Sequence, residues 1–120
     1  LIRNVTRDTV LATDETWAVE AADRMRGLLD RDGLDPGEAL VISPCNSVHM
    51  FGMTFGLDVV FVAKDGTVVR AIENLKPWRF TRIHLRAKHT IELPVGVVAA
   101  TGTVKGDQIA WDVPPPKSPE

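Results

Sequence analysis

The chain has 120 residues, 44% of them hydrophobic and 25% charged, with one cysteine and a formal net charge of −2. That length fits one domain, expected over residues 1–113, which buries about two-thirds of its unfolded surface around a single core. The balance excludes a disordered chain, the apolar run Leu57 to Ala63 is far short of the ~20 residues of a membrane helix, and so small a net charge predicts no broad attraction to duplex nucleic acid or to a membrane.

Residues 2–12 alternate loosely and carry Val5, Thr6, Thr9, Val10 and Leu11, which predicts a strand or hairpin ending before Thr13-Asp14. A main helix is expected over residues 16–30. Ala18, Ala21, Ala22, Met25, Leu28 and Leu29 recur at helical spacing, Asp14 or Thr16 can cap it, and Arg24, Arg26 and Arg31 suit its negative end. Gly27 inside that helix would permit close approach of a neighbouring backbone. Gly33, Pro36 and Gly37 break the chain before a short strand from Ala39 to Ile42.

The clearest local signal is Leu57 to Lys64, then Asp65-Gly66, then Thr67 to Glu73. Asp-Gly between two β-branched runs predicts a type I′ hairpin, with both central residues at positive φ. Pairing Lys64 with Thr67 would set Val62 opposite Val69, Val60 opposite Ala71 and Asp58 opposite Glu73 on one face. Leu75 to Arg79 reads as a loop, His89 to Leu93 and Gln108 to Val113 as strands, and residues 114–120, with four prolines, as a disordered tail. The expected fold class is therefore α+β: a mostly antiparallel, barrel-like sheet with one main helix.

Taken in order, several segments form a specific signature: Arg26-Gly27-Leu28-Leu29-Asp30-Arg31, Pro44-Cys45-Asn46-Ser47-Val48-His49, Phe51-Gly52-Met53-Thr54-Phe55-Gly56-Leu57-Asp58, Pro77-Trp78-Arg79, Ile91-Glu92-Leu93-Pro94-Val95-Gly96 and Gly106-Asp107. In these the chain resembles the bacterial and archaeal family called domain of unknown function 192, over about residues 3–112. The resemblance implies a compact antiparallel β fold with one main helix and an unassigned biochemical role. Families of this type read Gly, Arg and Pro where this chain has Asp30, Thr54 and Gly56.

Three chemistries are open at the signature. Cys45-x-x-x-His49, completed by Met50, Met53 or Asp58, offers soft and borderline ligands to copper or zinc. On a straight strand, however, four residues separate side chains by about 13 Å, so Cys45 and His49 meet only across a turn at Asn46-Ser47. The same turn would make Cys45 a nucleophile with His49 as base and Asp58 as its orienting acid. Asp58 and Glu73, if opposed, would share a proton or a cation. Met50, Phe51, Met53 and Phe55 would instead form an exposed apolar patch if the protein is structural or an interaction module.

From Lys76 to His89 the chain holds Lys76, Arg79, Arg82, Arg86 and Lys88 with His84 and His89 and no acid, so the molecule is electrically polarised. Arg79, Arg82 and Arg86 can clamp phosphates or carboxylates, and Trp78 or Phe80 can stack on a ring. Glu92 and Asp107 read as turn caps.

The resulting expectation is a small-ligand binding module for a molecule of anionic character, with a groove around residues 45–58 and 78–86. His49, Met53, Asp58, Trp78 and Arg79 are its ligand-binding residues, and Cys45 is the one side chain available as nucleophile or metal ligand. No metal or cofactor is required, the partner is a small molecule or anion, and neither duplex nucleic acid nor membrane is engaged. A cysteine/histidine enzyme or metal-binding protein, and a structural protein, are the alternatives. The lone cysteine and the absence of a visible targeting signal point to a soluble cytoplasmic protein, although a removed leader leaves no trace.

Overall fold

The computed structural model describes residues 1–112, so the tail expected over 114–120 lies outside the described residues. In chain order the elements are β1 (Ile2–Asn4), β2 (Thr9–Ala12), β3 (Asp14–Ala18), α1 (Ala21–Arg26), β4 (Glu38–Ile42), β5 (Leu57–Ala63), β6 (Val68–Leu75), β7 (Ala87–Leu93), α2 (Val97–Thr101) and β8 (Ile109–Trp111). They build two sheets: a three-stranded one ordered β2-β1-β8 and a five-stranded one ordered β3-β4-β7-β5-β6. All pairings are antiparallel except β3 with β4. The α+β class holds, and the strands form two sheets rather than one closed barrel.

The centre of the five-stranded sheet is buried on both faces, which explains why β5 reads as an apolar run broken only by Asp58 instead of an alternating one. Val41, Val60, Val62, Ile91 and Leu93 face the small sheet and α2, where they meet Ile2, Leu11, Val98 and Ile109. Alternate residues Leu40, Ile42, Val59 and Phe61 point the other way, onto Leu28, Met50 and Met53.

The helix expected over 16–30 shrinks to Ala21–Arg26, because residues 14–18 are a strand running parallel to β4 from Asp14 opposite Glu38 to Ala18 opposite Ile42. Neither Asp14 nor Thr16 caps a helix; Glu20 stands at the N-cap without a side-chain bond. Tertiary anchors override the helical spacing. Trp17 packs edge-on against His89 and Trp111. Gly27 ends the helix instead of sitting within it: its φ of +50° is left-handed, and its N–H donates to the Asp23 carbonyl at 2.9 Å.

The β5–β6 hairpin forms with Val60 opposite Ala71 as expected, and slips by one residue at each end. At the tip only Gly66 has positive φ, the Gly66 N–H reaches the Ala63 carbonyl, and Val62 pairs with Val68. This is a type I turn closed by a glycine bulge, not the type I′ turn. A Cβ at Gly66 would stand 2.6 Å from the Ile109 carbonyl oxygen, so the bulge also lets the small sheet close against the hairpin. At the far end Leu57 pairs with Leu75 and Val59 with Ile72, leaving an extra residue in β6 and removing the Asp58–Glu73 opposition.

Candidate functional site

After β4 the chain crosses the sheet face as the signature segment and meets the basic loop. His49 and Phe80 form an antiparallel bridge. Met50 donates to the Arg79 carbonyl at 2.7 Å, while Trp78, Thr81 and His84 donate to the Met50, Val48 and Asn46 carbonyls, each at 2.8 Å. The Val48 N–H reaches the Thr81 hydroxyl at 2.9 Å. Residues 46–50 and 78–84 are thus zipped into a two-stranded ribbon. Its alternation buries Val48 and Met50 against the sheet and leaves His49 and Phe51 outside, where Phe51 stacks on His49 at 5.2 Å and lies 6.2 Å from both Trp78 and Phe80.

The two segments expected to wall a groove are therefore neighbours, but backbone pairing fills the space between them. A cavity of about 400 Å³ opens instead between the signature segment and α1. Arg24, Met25, Leu28 and Leu29 form one wall; Cys45, Val48, His49 and Met53 form the other; Ile42 and Glu92 are the floor. His49 and Met53 of the expected set line it, and Trp78 and Arg79 do not, being exposed on the ribbon. Met53 and Met50 are buried whereas Phe51 is half-exposed, so the four apolar residues of the segment do not make one exposed patch.

Asp58 is absent from the cavity for a topological reason. It projects from the β5 face opposite to Phe61, is fully buried, and accepts backbone N–H bonds from Asn74 (2.8 Å), Gly96 (3.0 Å) and Val98 (2.9 Å). The Cys45–His49–Asp58 set is not assembled, and among the described residues no group of three or more His, Cys, Asp or Glu side chains is placed to hold a metal. Asp58 instead ties the β6 bulge to the start of α2.

Cys45 is partly buried, with its thiol donating to the Ser47 carbonyl at 3.2 Å. Burial pushes the thiol above its ordinary value, and the nearby Glu92 carboxyl adds to this. A thiol so held is a poor nucleophile. At pH 7.5, iodoacetamide should modify Cys45 several-fold more slowly than it modifies free glutathione, as followed by intact mass; a faster reaction would reinstate the nucleophile.

Glu92 is the residue that sequence reasoning misplaced. It caps no turn: it lies in central strand β7, between Leu40 of β4 and Val59 of β5, and is 5% exposed. No described residue donates a hydrogen bond to its carboxyl, which faces the cavity, and burial raises its pKa to about 7. The available signal was a single charged residue within the strand His89–Leu93, which gains meaning only once that strand is known to be central. Asp107, by contrast, does cap its turn, accepting from the Val104 N–H, Asn4 Nδ2 and Arg7 Nε.

Four signature segments, 26–31, 44–49, 51–58 and 91–96, thus converge on one cavity. A UPF0127 protein of Pyrococcus furiosus is 30% identical over 115 residues, covering 91% of this chain and 96% of that protein. A UPF0127 protein of Thermococcus sibiricus is 40% identical over 67 residues, 56% of this chain, and the match spans only 43% of that longer relative. A crystal structure of a protein of unknown function from Novosphingobium aromaticivorans superposes with a TM-score of 0.72 at 23% identity, over 81% of this chain and 74% of that one, so the fold is shared. No described helix is long and apolar enough to cross a membrane. The family model for DUF192, Uncharacterized ACR, matches residues 3–111, and the chain belongs to that family.

Proposed function

We propose that the protein is a small-ligand binding module whose site is the cavity between α1 and the Pro44–Met53 segment. The observation that carries this reading is Glu92: a buried carboxyl without a protein donor, aimed into a space large enough for a small organic molecule. No side-chain oxygen or nitrogen among the described residues is both fully buried and without a partner, so the Glu92 oxygens open to the cavity, and a ligand bearing an N–H or O–H can take the place of water there. Met25, Leu29 and Met53 supply apolar walls for the rest of it, with Met side chains able to repack around more than one shape.

A primary carboxamide suits both protonation states of Glu92, donating N–H to the carboxylate and accepting from the carboxylic acid. Hexanamide is therefore the probe. Titrated into labelled protein at low millimolar concentration, it should shift the backbone amide resonances of residues 24–29 and 45–53 saturably. Methyl hexanoate, which lacks the donor, should bind more weakly, and Glu92→Leu should weaken hexanamide about tenfold or more, as loss of a bond to a charged or acidic group implies. No saturable shift in those residues, or equal affinity in the variant, overturns the reading.

A further inference from the structure

A second concavity, about 490 Å³, shares no lining residue with the Glu92 cavity. Arg70 and Ile72 of β6 bound it on one side, Phe80, Arg82 and His84 of the basic loop on the other. Phe61 is what brings them together. Arg70 is its cross-strand partner, and the His84 ring lies over its ring at a centroid distance of 4.5 Å. The loop is not free to carry His84 away, because the Thr81 and His84 N–H groups are bonded to the Val48 and Asn46 carbonyls.

Three basic side chains therefore converge without a counter-charge. The ion pairs found among the described residues involve Arg7, Arg26, Arg31 and the N-terminus, and none involves Arg70 or Arg82. His84 is held below its ordinary value by burial first and then by Arg70 and Arg82. The charged groups facing its ring are Arg70 from β6 and Arg82 from its own loop; from β5 it meets only the Phe61 ring. Like charges held at one place are unfavourable until an anion joins them.

We propose that this groove binds a phosphomonoester with a flat apolar body, the phosphate between Arg70, Arg82 and His84 and the body against Phe80 and Ile72. Two arginines match a phosphate carrying about −1.5 to −2 charges better than a carboxylate, and each guanidinium can engage it bidentately. The site is independent of the Glu92 cavity, so failure of either leaves the other standing.

Phenyl phosphate is the test ligand, and the His84 ring proton followed by NMR is the reporter. Phenyl phosphate should raise the His84 titration midpoint saturably, while sodium chloride at matched ionic strength should not. It should bind more tightly than inorganic phosphate and more tightly than benzoate. Arg70→Gln and Arg82→Gln should each weaken it about tenfold or more, and Arg86→Gln, a surface change of the same charge, should not. An equal effect of chloride, or a response that survives both Gln variants, overturns the site; benzoate binding as tightly overturns the phosphate assignment, and inorganic phosphate binding as tightly overturns the apolar half.

Discussion

Asp58→Ala is expected to destabilise the fold by about 3 kcal/mol, most of it from the buried Val98 N–H, which costs about 1–3 kcal/mol when left unpaired, with smaller losses at the part-buried Asn74 and Gly96 bonds, whose donors water can reach. The Asn74, Gly96 and Val98 N–H groups all lose their acceptor, at a point where this carboxyl links the β6 bulge to the first turn of α2. Asp58→Asn retains one acceptor oxygen but turns an NH₂ toward the remaining donors, so it should fall between wild type and alanine. Glu73→Ala, on an exposed side chain, should stay within about 0.5 kcal/mol of wild type. Urea unfolding midpoints at constant slope measure all three. If Asp58 were instead opposed to Glu73 as a like charge, Asp58→Asn would be stabilising, and that outcome would reject the structural role.

Local chemistry made some of the fold legible and tertiary context hid the rest. The β5–β6 hairpin is readable because Asp65-Gly66 and two β-branched runs are local signals, and its central register, Val60 opposite Ala71, is correct. Its ends are not readable, because the bulges answer to partners distant in sequence: Ile109 at Gly66 and Asp58 at Asn74. The helix failed for the same reason, since residues 14–18 pair with β4 and Trp17 packs on His89 and Trp111, none of which a window around residue 17 contains. At the site, Cys45, His49 and Met53 of the signature line the cavity. Proximity of the basic loop to that segment was legible from their chemistry; whether two neighbouring segments hydrogen-bond or leave a gap is decided by backbone register, and here they hydrogen-bond. Glu92 was hidden because a strand's burial on both faces depends on its place in the sheet order.

Glu92→Gln should change the pH dependence of stability more than its value at any one pH. In the folded protein the Glu92 carboxyl keeps its proton up to about 7, against an ordinary value of 4.5 in an exposed chain. Between those values the folded state binds a proton that the unfolded state has released, so raising the pH through this window destabilises wild type, by about 3 kcal/mol once pH exceeds 7. Glutamine does not titrate, so the stability of the variant relative to wild type should rise by about that amount between pH 4.5 and pH 8. His89 acts in the opposite sense. Its Nδ1 meets the Ser43 hydroxyl at 2.7 Å, its ring packs edge-on against both Trp17 and Trp111, and burial lowers its pKa from 6.5 to about 4. The neutral ring favoured by the fold is charged more readily in the unfolded chain, so stability falls as pH drops from 6.5 toward 4. The two groups sit on opposite faces of β7 and their windows overlap between about 4.5 and 6.5. Wild type should therefore show a shallow profile there, and Glu92→Gln should expose the His89 limb as a steep loss on acidification. A variant profile parallel to wild type from pH 4.5 to 8 would mean that Glu92 ionises as an exposed carboxyl does, and would remove the buried acid on which the binding site depends.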